Sequence, residues 1–457
     1  MSQGAQLTFA RKIAIGAGDF GFNLYWQTAG LYLLFFYTDG LGIPAATAGL
    51  IYMVALIWDA ILDPIVGIVA DRTRSRFGRY RPYFIFGAPL LALAFVAVFV
   101  GPAYPTAGAV AFAAGTHVLF RTLYAVVSIP YASLFARITR DSAQRGDLAG
   151  IRMVFAALGA VGVAALTLPV VQALGTVASP RLGWIILGAV YGGVATLIIL
   201  SVAWAARGLD AAGDPPSVRL PARDVLRSLL GNRALLLVLG AVLVSSFAST
   251  MFGKNLLYYF KYVVGKPELG SLALALSAVV AVVFIPLWTV VIRLVGKRNT
   301  WLIGAVPGLV GLVLWHLADG HGLPMLFGSL ALQAFGGASY VVCFWAMLPD
   351  TVEYGEWKSG VRTESLTFGL TVLGQKVALG LGAGFLGLLL THVGYTANVA
   401  QTPDTLAGIK SMMFWWPFIG GLISLALIVF YPLDRKTHDR MVAEIAARAS
   451  PVPVPNI

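Results

Sequence analysis

Two carboxylates stand four residues apart in an otherwise apolar stretch, Trp58-Asp59-Ala60-Ile61-Leu62-Asp63-Pro64. Side chains at i and i+4 project from one face of a helix, so Asp59 and Asp63 form a pair. Close carboxylates repel, which raises one pKa and lets the pair hold a shared proton or a small hard cation such as Na⁺. Pro64 donates no N–H, which leaves the carbonyl of Ala60 as a further oxygen ligand. The competing role is structural: a salt bridge to Arg152 or Lys376 that pins helices together. The single cysteine, Cys343, forms no intramolecular disulfide, and no Cys or His metal cluster accompanies it.

A second polar group repeats the four-residue spacing, because Asp19, Asn23 and Gln27 fall on one helix face. The stripe either lines a cavity or bonds helix to helix. Other polar residues in apolar surroundings are His117, Arg121, Ser128, Arg152, Lys254, Asn255, Gln333, Gln375 and Lys376. Ionisable groups cost about 2.5–3.5 kcal/mol each at the centre of a spanning helix, so they face a bundle interior and are functional candidates by default. Arg152, Lys254 and Lys376 suit an anionic or hydroxyl-rich ligand, or permanent pairing. His117 reads as a packing histidine rather than a proton relay, and Arg121 is open between the two roles. Tyr25, Trp26, Tyr340 and Trp345 fit either sugar stacking or helix packing.

The elements that carry these residues follow from composition. Of 457 residues 58% are hydrophobic and 11% charged, far from the usage of soluble domains. Apolar runs long enough to cross a hydrocarbon core recur along the chain, and the spacing predicts twelve helical spans. Their ranges are 13–37, 46–70, 82–102, 107–136, 148–172, 182–206, 234–260, 269–292, 300–318, 323–348, 364–392 and 408–432. No cleavable signal is expected. The net charge of +12 resides in alternate short loops, such as Arg72, Arg74, Arg76, Arg79 and Arg81, which argues for membrane orientation and against nucleic-acid binding. Both termini are then cytoplasmic. The expected class is an all-α membrane protein, a monomer, whose partners are the lipid bilayer and a small molecule.

The polar stretch 207–233 divides the chain into bundles at 1–206 and 234–432, with a cytoplasmic tail at 433–457. Asp63-Pro64-Ile65 in the second span and Ile285-Pro286-Leu287 in the eighth form a weak internal echo. Repeated halves of this kind place a substrate site at the midplane.

After the second span the chain reads Gly67-Ile68-Val69-Ala70-Asp71-Arg72-Thr73-Arg74-Ser75-Arg76-Phe77-Gly78-Arg79, which resembles the cytoplasmic signature of the major facilitator superfamily. Gly21-Phe22-Asn23, Tyr37-Thr38-Asp39, Ile57-Trp58-Asp59 through Asp63-Pro64, Ser128-Ile129-Pro130-Tyr131-Ala132-Ser133-Leu134, Asp350-Thr351-Val352-Glu353-Tyr354-Gly355-Glu356 and Gly394-Tyr395-Thr396 add to it. Together they resemble the glycoside–pentoside–hexuronide:cation symporters, which include the melibiose carriers. The resemblance implies two six-helix halves of the major facilitator fold in a bacterial inner membrane. It puts the coupling-cation site on Asp59 and Asp63, a sugar-site arginine on Arg152, and the lysine linking cation site and cavity on Lys376. Sugar-binding acids of melibiose carriers fall on Asn23 and Ser128, with Asp19 one turn before Asn23. The galactosyl-stacking tryptophan falls on Ala132, and two helper positions of the sodium site on Leu62 and Ala125. The melibiose pocket is therefore not reproduced, and Na⁺ and H⁺ stand as equal coupling ions.

The sequence predicts cation-coupled symport of a sugar or glycoside by alternating access, not an enzyme, with no cofactor beyond the coupling ion. Losing acids at Asn23 and Ser128 while keeping Arg152, Lys254 and Lys376 makes the cavity more positive. The expected substrate is thus an acidic sugar such as a hexuronide, glucuronide or sulfonated sugar. Substrate contacts are expected from Asp19, Asn23, Gln27, Ser128, Arg152, Lys254, Trp345 and Lys376. A cytoplasmic gate is expected between Asp71, Arg72 and Arg79 and a 350–364 loop carrying Asp350, Glu353, Glu356 and Glu364. Two rivals are a cation-coupled lysophospholipid carrier, with Lys376 on the phosphate, and a non-transporting sensor.

Overall fold

The computed structural model describes residues 7–101, 106–138, 141–175, 180–209, 228–318 and 322–449, which are helical with short connections and contain no strand. In hydrocarbon each backbone N–H and C=O must be paired inside its own segment, and helices meet that demand. The helices are α1 (Phe9–Gly16), α2 (Gly18–Phe35), α3 (Ala45–Arg72), α4 (Arg81–Phe99), α5 (Ala107–Ile138), α6 (Ser142–Leu174) and α7 (Pro180–Ala205). They continue with α8 (Arg233–Tyr258), α9 (Glu268–Val295), α10 (Lys297–Leu317), α11 (Leu323–Ser359), α12 (Glu364–His392), α13 (Pro403–Val429) and α14 (Arg435–Ala449).

Eleven of them, α3 to α13, are long and apolar enough to cross a membrane. The twelfth span is α2, whose Asp19, Asn23 and Gln27 make it too polar to qualify by composition. Three expectations change in detail. The first span begins at Phe9, where Thr8 caps α1 by accepting from the Arg11 N–H, and is interrupted at Ala17. The tenth does not end near 348: Pro349 sits inside α11, which runs on to a left-handed Gly360 cap whose N–H reaches Glu356. Asp350, Glu353 and Glu356 are consequently helical and not in a loop. The tail at 433–457 contains α14, and 450–457 lies outside the described residues, as does 210–227 of the 207–233 linker.

Packing divides the chain into two compact units that cut across the six-helix halves. Unit 1 comprises 1–215, 250–279 and 379–413, and unit 2 comprises 216–249, 280–378 and 414–457. In unit 1 the rings of Tyr25, Phe95, Phe99, Phe120 and Trp184 pack through centroid separations of 5.0–6.2 Å. Unit 2 has its own core, with Trp301, Phe344, Met347 and Tyr431 buried together and Met441 of α14 joining them.

Unit 1 shows an internal repeat more closely than the sequence did. Beyond α2 the chain forms a single π-helical turn, Phe36–Gly40, and beyond α8 another, Tyr259–Val263. Each turn is closed by the same hydrogen bonds, Leu41 N–H to Phe36 and Ile43 N–H to Tyr37 in one, Val264 N–H to Tyr259 and Lys266 N–H to Phe260 in the other. Each then passes through a left-handed glycine, Gly42 or Gly265, to a proline two residues on. Only glycine takes that φ without a steric penalty, so the Gly-x-Pro pattern fixes both exits.

Small residues set the approach of α3 to the 379–392 part of α12. A Cβ at Gly387 would stand 2.3 Å from the Ala45 carbonyl oxygen, and one at Gly49 would stand 2.9 Å from that of Ala383. Backbones this close are the packing mode available where lipid supplies no hydrophobic drive. Gly387→Val should therefore destabilise the protein by about 1–3 kcal/mol through forced separation of the two helices. A thermal melt in detergent tests this, and an unshifted midpoint would contradict the contact.

Candidate functional site

The long apolar helix α3 delivers the predicted carboxylate pair. Asp59 is fully buried and Asp63 half-buried, with Pro64 inside the helix one residue later. The phenol of Tyr124 on α5 lies within electrostatic range of Asp59, Arg121, Asp19 and Asp63. Three spans thus turn their ionisable groups toward one region of unit 1.

On α2 the expected stripe is a ladder. Asn23 donates to the Asp19 carbonyl at 2.8 Å, and Gln27 donates to Asn23 Oδ1 at 3.2 Å. Asp19 also accepts from Arg152 Nε at 2.5 Å and from the Tyr131 hydroxyl at 3.0 Å. Phe135 and Tyr131 steer the guanidinium, whose carbon lies 3.6 Å and 5.4 Å from their ring centroids. Arg152 therefore pairs with Asp19 and not with the carboxylates of α3. Both side chains keep partial exposure, 31% for Arg152 and 18% for Asp19, so the pair is reachable by solute. Ser128 is half-buried on α5.

Lys254 lies with Arg121, not with an acid. Its Nζ donates to the Gly30 carbonyl and stands 3.8 Å above the Tyr52 ring. His117 is buried and accepts from Arg121 Nε. Of the aromatic candidates, Tyr25 is closed into the core and donates to Gly192, whereas Trp26 lies half-buried against Tyr124. In unit 2, Tyr340 stacks on Phe344 and bonds Ser246, Trp345 is 48% exposed, and Lys376 is half-buried.

The acids expected at a gate have basic partners inside unit 2. Asp350 accepts from Lys297 at 2.6 Å and 2.8 Å, Glu353 pairs with His438 of α14 at 2.7 Å, and Arg362 bridges Glu356 and Glu364. Asp350, Glu353 and His438 are close enough to share a metal ion, but the Lys297 ammonium already pairs with Asp350 there. In unit 1, Asp71 accepts from Tyr80, Arg72 is exposed and Arg79 half-buried.

Sequence reasoning missed one strong constellation in unit 1, although Asp39 stood in the Tyr37-Thr38-Asp39 motif. Asp39 accepts from Lys261 at 2.5 Å, from Tyr262, from Tyr395 at 2.6 Å and from Thr38 at 2.7 Å. Asn398, the single non-glycine residue with positive φ among those described, donates to the Asp39 carbonyl and accepts from Lys261. Burial, then the Asp39 charge, raises the Tyr395 pKa well above the phenol range, so its hydroxyl stays a donor. The signal was the repeat: Asp39 and Tyr262 occupy matching positions of the two π-helical turns, as do Thr38 and Lys261. Beside it opens a cavity of about 550 Å³ that Asp39, Arg181, Lys261 and Trp184 help to line.

Comparison with known proteins adds the family. The profile described as MFS/sugar transport protein matches residues 14–435. The isoprimeverose transporter of Lactiplantibacillus pentosus is 31% identical over 441 residues, which cover 96% of this chain and 91% of that protein. The glucuronide carrier protein homolog of Escherichia coli (strain K12) is 31% identical over 450 residues, covering 97% and 96%. The crystal structure of the nucleoside transporter NupG superposes with a TM-score of 0.68 at 14% identity, over 93% of this chain and 100% of that one, a likeness of fold alone.

The Asp39 network ties together two matching turns and the 393–398 segment. Asp39→Asn should weaken it and raise amide hydrogen exchange in 36–43, 259–266 and 393–398 while α10 keeps its protection. Unchanged exchange in those three segments would show that Asp39 does not hold them.

Proposed function

This chain belongs to the glycoside–pentoside–hexuronide:cation symporter family of the major facilitator superfamily, and from that premise we propose that it is a cation-coupled symporter of an acidic sugar or glycoside. It is a multi-pass integral membrane protein and a transporter. Support for coupling rests above all on one observation: Asp59, fully buried, shares a helix face with Asp63 one turn away on α3. Carboxylates so placed are retained for ion or proton capture, since permanent burial for packing alone is costly. The donor set of two carboxylates and the Ala60 carbonyl that Pro64 leaves free suits a small hard cation, and it equally suits a shared proton.

The substrate reading draws on the polar ladder Asp19–Asn23–Gln27 with Ser128, which offers hydroxyl-bonding groups, and on Arg152 and Lys254, which supply positive charge. The resemblance to a relative named as a glucuronide carrier protein homolog is consistent with this balance. In the proposed cycle a cation occupies Asp59 and Asp63 and makes the region less negative, which favours an anionic sugar by Coulomb attraction. Sugar hydroxyls exchange with the partly exposed Asp19–Arg152 pair, whose charge-assisted bonds re-form when the sugar leaves. Each ligand then raises the affinity for the other, by about 1–3 kcal/mol in systems of this kind.

Uptake into proteoliposomes with and without Na⁺ and H⁺ gradients tests the proposal. Wild type should accumulate a sugar acid only under one of the two gradients. Asp59→Asn should abolish accumulation while retaining a wild-type melting profile. Undiminished accumulation in that variant would remove the cation site from Asp59, and translocation of a lysophospholipid instead of a sugar would replace the substrate class.

A further inference from the structure

Arg121 of α5 and Lys254 of α8 are among the most deeply buried cations of unit 1, exposed to 1% and 5%. Neither has a carboxylate within ion-pair distance among the described residues. Instead Tyr52 of α3 lies beside both, with the Arg121 guanidinium carbon 5.8 Å and Lys254 Nζ 3.8 Å from its ring centroid. Trp26 and Phe120 flank Arg121 at 5.1 Å and 5.6 Å. Cation–π contacts offset part of the desolvation of such groups and leave the charge itself unneutralised.

The unused hydrogen-bonding capacity here is one-sided. Arg121 Nε donates to His117 Nε2 at 3.3 Å, and Arg121 Nη1 is buried with no acceptor. Because Nε2 of His117 accepts, the ring proton belongs on Nδ1, which is also buried with no acceptor. Lys254 donates to the Gly30 carbonyl, and the Tyr52 hydroxyl is a shared hydrogen-bond partner of Lys254 and Arg121. The Tyr37 hydroxyl, against the His117 ring, has no partner either. A cluster of unmet donors around two uncompensated cations is complementary to an oxyanion, and the planar guanidinium fork matches a carboxylate or sulfonate.

The same helix faces carry the proposed sugar site. Tyr52 precedes Asp59 by seven residues on α3, Arg121 precedes Ser128 by seven on α5, and Gly30 extends the Asn23–Gln27 stripe on α2. Two turns of helix, about 10 Å, separate the members of each pair along a face. We infer that Arg121 and Lys254, with His117, form an oxyanion subsite that receives the carboxylate or sulfonate of the transported sugar. This rests on the acidic-sugar reading above, but the subsite's chemistry is testable apart from it, since an inorganic or simple organic oxyanion would meet the same donors.

Purified protein in nanodiscs would be titrated with glucuronate, glucose and methanesulfonate, with binding followed calorimetrically and by thermal melting. Wild type should bind glucuronate at least about tenfold more tightly than glucose, and methanesulfonate should compete with it. Arg121→Gln and Lys254→Met should each lose most of that preference and the competition, with Arg121→Lys restoring part of it. Preference and competition that persist in both neutral variants would overturn the subsite and leave the transport proposal standing. If no sugar acid binds wild type, yet methanesulfonate raises its melting temperature in an Arg121-dependent way, the subsite stands for simple anions and the acidic-sugar reading fails. Should either substitution prevent folding, wild type still decides: no thermal response to methanesulfonate and no preference for glucuronate would overturn the subsite.

Discussion

Placing charge in hydrocarbon costs about 2.5–3.5 kcal/mol per side chain on insertion scales, and the interior of this protein is organised around how each such cost is met. Asp19 and Arg152 neutralise each other across α2 and α6, Asp350 is met by Lys297, and Asp39 is ringed by an ammonium and three hydroxyls. Arg121 and Lys254 stand apart, because aromatic rings, the His117 imidazole, the Tyr52 hydroxyl and a backbone carbonyl surround them and no carboxylate pairs with them among the described residues. Compensated charges fasten helices. Charges without a carboxylate partner are kept at a higher cost, which the proposed oxyanion ligand would offset.

The Asp39 network shows how a repeated chain uses its symmetry. The same local device, a π-helical turn followed by a left-handed glycine and a proline, ends both α2 and α8. A widened turn displaces the side chains of its last residues relative to a regular helix. In one repeat those residues are Thr38 and Asp39, in the other Lys261 and Tyr262, and their chemistry is complementary. Identical backbone with opposite side-chain charge joins the two turns to each other, where identical side chains would repel.

Close backbone contact does the remaining positioning. Without a hydrophobic drive between helices in lipid, van der Waals contact at glycine and alanine decides which helices touch. The contact of Gly387 with Ala45, and of Gly380 with Leu56 and Met53, seats the later part of α12 along the helix that carries Asp59 and Asp63. A helix held by its backbone has a fixed height and rotation, and the carboxylates inherit that fixed placement.

The sequence by itself determined the membrane class, the spans apart from the extended end of the tenth, the family and the single-face placement of Asp59 with Asp63 and of Asp19 with Asn23 and Gln27. These follow from hydrophobic run length and from a four-residue spacing, both local properties of a helix. Only the tertiary structure decided partners: that Arg152 answers Asp19, that Asp39 gathers Lys261, Tyr262, Tyr395 and Asn398, that Lys254 and Arg121 share Tyr52, and that α11 continues past Pro349. Helix periodicity says which side chains share a face, but which helix that face meets depends on contacts hundreds of residues apart in the chain. The meaning of a buried charge lies in that meeting.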